Sequence, residues 1–477
     1  MNFEWLPAPL PQDLALSTPG SIGVASNTVK VYRTPNLELA IEADADGDGK
    51  QEEAAVPGTR STGATLQLVR GEITGYKIIH HKTETKGERK HSFIKGEADA
   101  FSLLYNPDAQ AECSTITEWL ANVPRRIWER RTDRQKIITT RRQRDDAGIE
   151  NQSKSEMFGA DYIQIELGLP NLESVLIGTV PPEFVTEGLK IEGPGFVEYR
   201  RGPSGLPDES LRRTVIRAIE FLFGSGLGVL GRSEFASGDR LIRAEYTSTY
   251  IPGGVGAGHR PALLHPENWQ DGLSGATIAP ILRRFIELEP SYDLNKAVWL
   301  YLHGRNSPLE MAAGYVGAAF EILRRGFYEQ PENEARSRLM PKDRWQLVGK
   351  EVRRLFADLA QRETLSEYSD EIQEVERRLA ELNKVSGTKL SRLFLSDLHL
   401  QYGDVEIKAL QARNEAAHAM RFNTSEGFEK LWAYRALQTL FGRVLLRLLA
   451  AQVHYFDYST VGHPLRALET QQGAMGT

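Results

Sequence analysis

Gln411-Ala-Arg-Asn-Glu-Ala-Ala-His418 is the stretch in which chemically usable side chains coincide with a clear helical pattern. From Asp404 to Phe422 no proline interrupts the chain, Val405, Leu410 and Ala417 can share an apolar face, and Ala, Glu, Gln and Arg favour the helical state. A second helix is predicted directly after it. Asn423 can cap that helix with Glu426 three residues on, and Leu431, Tyr434, Leu437, Phe441, Val444, Leu445, Leu448 and Leu449 recur at three-and-four spacing. Toward the N-terminus the same periodicity marks 276–288, 294–303, 308–327, 343–360, 369–383 and 389–396, so helices are expected from about Asn268 to Tyr458.

Within the quoted stretch, Asn414 and His418 stand four residues apart and share a helix face, with Arg413 on the flank. These residue types suit cleavage of RNA without a metal. A histidine titrating near neutrality moves the proton of a 2′-hydroxyl or of the leaving oxygen. An arginine, always charged, forks toward a phosphate whose negative charge grows in the transition state. The asparagine would hold the imidazole or a phosphate oxygen, or serve as a plain hydrogen-bonding spacer.

Arg413-Asn-Glu-Ala-Ala-His418 resembles the R-x4-6-H motif of the HEPN superfamily, small helical bundles of prokaryotic toxins, CRISPR-associated ribonucleases and abortive-infection proteins. The resemblance covers roughly the last third of the chain and is to ApeA-like and other abortive-infection HEPN domains that follow a large unrelated N-terminal region. It implies a metal-independent endoribonuclease with Arg413 and His418 as the catalytic pair, Asn414 beside them, and a homodimer that brings two motifs into one composite site. Antiviral defence or toxin-like growth arrest would be the use, with the N-terminal region as sensor or regulator and a phage-derived trigger or a neutralising partner as further contacts. Two other readings stand beside it: a non-catalytic HEPN-like module that binds nucleotide, nucleic acid or protein, and a dimerising structural or regulatory protein. His303, Glu321 and His454 share the helical region and are candidates to approach the motif.

A chain of 477 residues exceeds what one core serves, so two or three domains are expected. Hydrophobic content of 40%, charged content of 26% and a mean hydropathy of -0.39 exclude a disordered or membrane-embedded chain. The net charge of -6 gives no global attraction to a polyanion, so RNA must meet a local patch. One cysteine, Cys113, excludes an intramolecular disulfide and a cysteine metal cage. No signal peptide pattern opens the sequence and no apolar run reaches bilayer length, which together predict a cytoplasmic protein with no membrane contact. The motif chemistry calls for no cofactor and no metal.

The N-terminal half reads as β-rich. Runs at 28–32, 37–43, 64–69 and 76–80 are short, β-branched or aromatic, and bounded by Gly, Pro, Asn and Asp. Further strands are predicted at 162–166, 174–178, 189–192, 197–200 and 241–246, with Gly-rich turns at 252–258 and a helix after Pro207 capped by Asp208. Asp44-Ala-Asp-Gly-Asp-Gly49 begins like a calcium loop, but its twelfth position is Ala55, so an acidic hairpin turn is favoured. Gly226-Leu-Gly-Val-Leu-Gly231 matches G-x-G-x-x-G, yet a helix precedes it and no helix follows, which argues against a dinucleotide loop. A short helix is predicted at 114–123. After it, basic residues crowd 125–144 around Trp128, and Arg125, Arg126, Trp128, Arg130, Arg131 and Arg134 are the candidate RNA-binding residues, with Trp128 available for stacking. The interleaved acids Glu129 and Asp133 also allow an ordinary solvated charge run.

The predicted class is α+β: a β-rich N-terminal region followed by an all-α, HEPN-like bundle. The predicted domains are 1–110 (β-rich), 111–265 (mixed, with the basic segment), 266–460 (helical) and a tail at 461–477.

Overall fold

A computed structural model describes residues 12–15, 28–34, 36, 38–46, 65–68, 71–74, 77–86, 89–104, 112–124, 138–145, 148–155, 162–179, 193–237, 240–249, 264–265, 272–361, 367–378, 382–417 and 427–468. The chain divides into Met1–Arg283 and Arg284–Thr477. The first unit is mostly strand and the second mostly helix, so the α+β class holds.

In the first unit the strands are β1 (Gln12–Ala15), β2 (Thr28–Arg33), β3 (Leu39–Asp46), β4 (Thr65–Leu68), β5 (Gly71–Thr74), β6 (Lys77–Lys86), β7 (Arg89–Ala98), β8 (Ala100–Leu104) and β9 (Cys113–Ala121). They continue with β10 (Ile138–Asp145), β11 (Gly148–Ser155), β12 (Tyr162–Leu169), β13 (Leu172–Thr179) and β14 (Gly195–Arg200), then the helix α1 (Glu209–Phe223), and β15 (Gly228–Ala236), β16 (Arg240–Thr247) and β17 (Leu264–His265). Two antiparallel sheets organise them, in the orders β1-β2-β3-β7-β6 and β12-β13-β14-β9-β15-β16-β8-β5-β4, with β10 and β11 forming a separate hairpin.

The chain passes from one sheet to the other at Asp99, between β7 and β8. There the Asp99 N–H donates to Thr74 O at 3.1 Å and its carbonyl accepts from Ser248 N at 2.8 Å. Arg33, at the end of β2, crosses to the larger sheet and donates to Leu230 O at 2.6 Å and Thr247 O at 2.9 Å. Because burial disfavours its charged form, its pKa is lowered to about 10.

The expected helix at 114–123 is instead β9, a central strand paired with β14 and β15. Its apolar residues are buried on both faces, and a short run of that kind fits a buried helix or a buried strand until its partners are known. Trp119 is fully buried there and donates its indole N–H to Ser233 Oγ at 3.0 Å. The glycine-rich match at 226–231 ends inside β15. A Cβ on Gly231 would lie 2.3 Å from Glu245 O, so this glycine serves the close approach of β16 rather than a phosphate. Asp44 and Asp46 belong to β3, opposite Phe93 and His91, and the rest of that acidic motif lies outside the described residues. So do the strand predicted at 189–192 and the turns at 252–258.

α1 starts as predicted, with Asp208 accepting from Leu211 N at 2.8 Å and Val215, Ile219 and Leu222 buried. It is tied to the large sheet through an ion pair: Glu118 of β9 accepts from Arg212 Nε at 2.9 Å and from the Tyr199 hydroxyl of β14 at 2.6 Å.

The helical elements are α2 (Gly275–Tyr292), α3 (Leu294–Asn306), α4 (Leu309–Glu329), α5 (Lys342–Ala360), α6 (Ser369–Arg378), α7 (Gly387–Asp397), α8 (Asp404–Ala417) and α9 (Gly427–Leu448). α3 packs on α4, and α4 on both α8 and α9. A Cβ on Gly304 would lie 2.6 Å from Val316 Cγ2, so this glycine lets α3 approach α4 closely. Tyr301 stacks on Phe441 at 4.6 Å between ring centroids, and Phe320 meets Phe394 edge-on at 5.6 Å.

α9 is more buried than its predicted stripe implies. Residues 436–446 are all buried, including Arg443, because that arginine donates to Gln401 O at 2.6 Å while Arg447 donates to Leu398 O at 2.9 Å. The expectation of helix alone up to Tyr458 is corrected as well: β18 (His454–Phe456) pairs antiparallel with β19 (Leu465–Ala467). Arg466 and Asp457 close that hairpin with an ion pair of 2.8 Å. Among the described residues no helix is long and apolar enough to cross a membrane.

Candidate functional site

α8 carries the motif. Its start is held by Glu406, whose carboxylate turns back to accept from Gly403 N at 2.8 Å, a reach that satisfies one of the first-turn donors. Ile407 and Ala409 are buried, whereas Val405 is 57% exposed. Of the apolar face expected from Val405, Leu410 and Ala417, Val405 points to solvent and Leu410 is half-buried, and Ile407 and Ala409 are covered instead, because the packing of α4 and α9 decides which side is buried. Arg413 and Asn414 lie on α8, whose described residues run to Ala417. His418 lies outside the described residues.

The face of α8 that leads to the motif borders a cavity of about 310 Å³. Its walls include Glu321 and Arg324 of α4, Thr388 and Ser391 of α7, and Leu410 and Gln411 of α8. Asn414 follows Leu410 by four residues and Gln411 by three, so position 414 shares their helix face. Arg324 is fixed in the wall: it donates to Ser391 Oγ at 2.6 Å and Gly387 O at 2.7 Å, and it pairs with Glu321. Among the described residues, three helices thus contribute an ion pair, the hydroxyls of Thr388 and Ser391 and the amide of Gln411 to the lining. Of the three residues named as possible neighbours of the motif, Glu321 lines the cavity that α8 borders. His303 stacks on Trp299 at 3.8 Å between centroids, and His454 belongs to β18.

In the first unit a cavity of about 670 Å³ lies between β12 and the start of α2, lined by Tyr162, Gln164, Glu166, Ser274 and Ala276 among others. Gln164 donates to Glu166 at 2.6 Å along β12. The candidate RNA-binding residues Arg125, Arg126, Trp128, Arg130, Arg131 and Arg134 lie outside the described residues. Among the described residues no group of three or more His, Cys, Asp or Glu is arranged to hold a metal ion. Cys113 is half-buried, donates to Thr115 O at 3.4 Å, and has its thiol pushed up in pKa chiefly by burial, which makes it a poor nucleophile.

Sequence reasoning singled out Glu321 but passed over Arg324, Thr388, Ser391 and Gln411. A helical i, i+3 spacing of Glu321 and Arg324 was the one local signal; the meeting of α4, α7 and α8 has no local signature. No protein-family model, curated protein or solved structure matches the chain.

Proposed function

We propose that the protein is a metal-independent endoribonuclease of the HEPN type, acting in the cytoplasm in antiviral defence or toxin-like growth arrest. The observation that carries this reading is that Arg413 and Asn414 sit on a proline-free helix packed against two others, with His418 following in the sequence just beyond its described residues. In the reaction, the ribose 2′-oxygen attacks the adjacent phosphorus while its proton passes to a base, and the bond from phosphorus to the 5′-oxygen breaks. His418 moves the proton at one of these oxygens, and Arg413 stabilises the charge that grows on the phosphoryl oxygens. The products carry 2′,3′-cyclic phosphate and 5′-hydroxyl ends. Asn414 orients the imidazole or a phosphate oxygen.

The reading includes a homodimer that brings two motifs together, and a trigger or neutralising partner acting through the β-rich unit. Support for self-association comes from α5 and α6, where Leu347, Val348, Leu355 and Val375 are exposed apolar residues that a partner surface could cover. The test is cleavage of RNA in EDTA by the wild type beside Arg413→Ala and His418→Ala. Loss in both variants supports the reading, and cleavage retained by His418→Ala removes it.

A further inference from the structure

We infer that Phe428, Trp432 and Arg435 form a strip on α9 that holds an unpaired stretch of RNA beside the motif, so that the substrate is single-stranded. The choice of RNA rests on the nuclease reading; the strip rests on the placement, exposure and charge of these three residues.

Placement comes from the contacts between α9 and the chain around the start of α8. Arg443 pairs with Glu406 and donates to Gln401 O, while Arg447, one turn further along α9, donates to Leu398 O. The two runs of chain therefore go in opposite directions. Counting back along α9 and forward along α8 from the pair of Arg443 and Glu406, positions 432–436 come level with 413–417. Trp432 precedes Arg443 by eleven residues, three helical turns, so it lies on the side of α9 that is turned to α8. Phe428 stands four residues before Trp432 and Arg435 three after it, which makes both its neighbours on the helix surface.

Phe428 is 73% exposed, the most exposed aromatic side chain among the described residues, and its ring meets no other aromatic ring there. Trp432 and Arg435 are half-buried, with the Arg435 guanidinium 5.3 Å from the centroid of the indole. Among the described residues that guanidinium makes no ion pair and donates no hydrogen bond, unlike those of Arg443 and Arg447 on the same helix. Its fork of N–H donors is left for a ligand. Over 427–436 the charged residues are Glu429, Lys430 and Arg435, a net of one positive charge.

A ligand that suits all three residues offers flat rings to the aromatic side chains and an anion to the arginine. An unpaired nucleic-acid strand does both, since every base has a face to stack and every link a phosphate. A duplex hides its base faces. An apolar protein surface would cover Phe428 but strip water from Arg435 without giving it a counter-charge.

Fluorescence anisotropy on the full wild-type chain tests this with a short 2′-O-methyl RNA, which lacks the attacking hydroxyl and stays intact, offered alone and paired with its complement. The single strand is expected to bind at least roughly tenfold more tightly than the duplex. Phe428→Ala and Trp432→Ala should each weaken strand binding about tenfold, and Phe428→Tyr should retain it. Phe428→Ala, at an exposed position, should leave the melting temperature unchanged. Arg435→Ala should lower the log–log salt slope of binding by about 0.7, one phosphate contact, which loss of a merely structural residue would not do. Equal binding of strand and duplex, binding of neither, or wild-type binding by both Phe428→Ala and Arg435→Ala would overturn the inference. Self-association lost in Phe428→Ala with strand binding intact would overturn it too, and would give the strip to a second copy. The nuclease reading fails by a different result: strand binding that depends on these residues in a protein whose wild type cleaves no RNA.

Discussion

Arg443 of α9 and Glu406 of α8 form a 3.5 Å ion pair in which the arginine side chain is 7% exposed and the glutamate 20%. The same guanidinium donates to Gln401 O at 2.6 Å, ahead of α8, so one buried cation fixes both the start of the motif helix and its rotation against α9. Arg443→Ala removes the donor from the Gln401 carbonyl and the cation beside Glu406, whose carboxylate keeps its bond from Gly403 N, and should destabilise the protein by about 2–4 kcal/mol. Urea unfolding followed by far-UV circular dichroism measures this, and a change within about 0.5 kcal/mol, as at an ordinary surface site, would show that the pair does not anchor α8.

A comparable cost is expected in the first unit at Glu118. Its carboxylate holds Arg212 of α1 at 2.9 Å and the Tyr199 hydroxyl at 2.6 Å in a buried site. Removing it in Glu118→Ala leaves an uncompensated guanidinium and should cost about 3–5 kcal/mol, whereas Glu118→Ala combined with Arg212→Met should cost less than the single change. Chemical denaturation of the three proteins reads the difference directly.

Glu220, buried near the end of α1, has its pKa raised to about 7 by burial, against the opposing pull of Arg217 and the Leu227 N–H. A carboxyl whose folded pKa lies above its unfolded value keeps its proton more tightly when folded, so unfolding releases a proton. Stability from this group is therefore full below pH 4.5 and falls as pH rises from about 4.5 to about 7, by about 3 kcal/mol in all. Glu220→Gln should flatten that part of the stability profile, and an equally steep fall in the variant would assign the slope elsewhere.

Leu347 and Leu355 lie eight residues apart on α5, at 62% and 61% exposure. If their face is covered by a second copy, Leu347→Glu with Leu355→Glu should yield a monomer by sedimentation velocity and lower RNA cleavage at equal protein concentration, with secondary structure intact. An unchanged sedimentation coefficient would place the contact elsewhere.

The helical half was legible because three-and-four spacing over long segments leaves little choice of state: α3, α4, α5 and α7 each lie within a few residues of their predicted bounds. α1 was legible down to its cap, since Asp208 signals a helix start by its own short-range bond. β9 was not, because Ile116, Trp119 and Leu120 carry no period once both faces of a strand are buried. The hairpin of β18 and β19 escaped for a different reason, being three residues a side and dependent on a pairing across Asp457 and Arg466. Of the candidate site, the helix under Arg413 and Asn414 could be read from the sequence. The cavity beside it could not, because Glu321, Ser391 and Gln411 come together only through the packing of three helices far apart in the chain.

RNA cleavage in EDTA by purified wild type, Arg413→Ala and His418→Ala, with the new ends identified chemically, tests the central claim most directly. The account predicts 2′,3′-cyclic phosphate and 5′-hydroxyl ends from the wild type, and a loss of at least about a hundredfold in His418→Ala, in line with the contribution of a general acid or base. Cleavage by His418→Ala at the wild-type rate, or cleavage that EDTA abolishes, would contradict it.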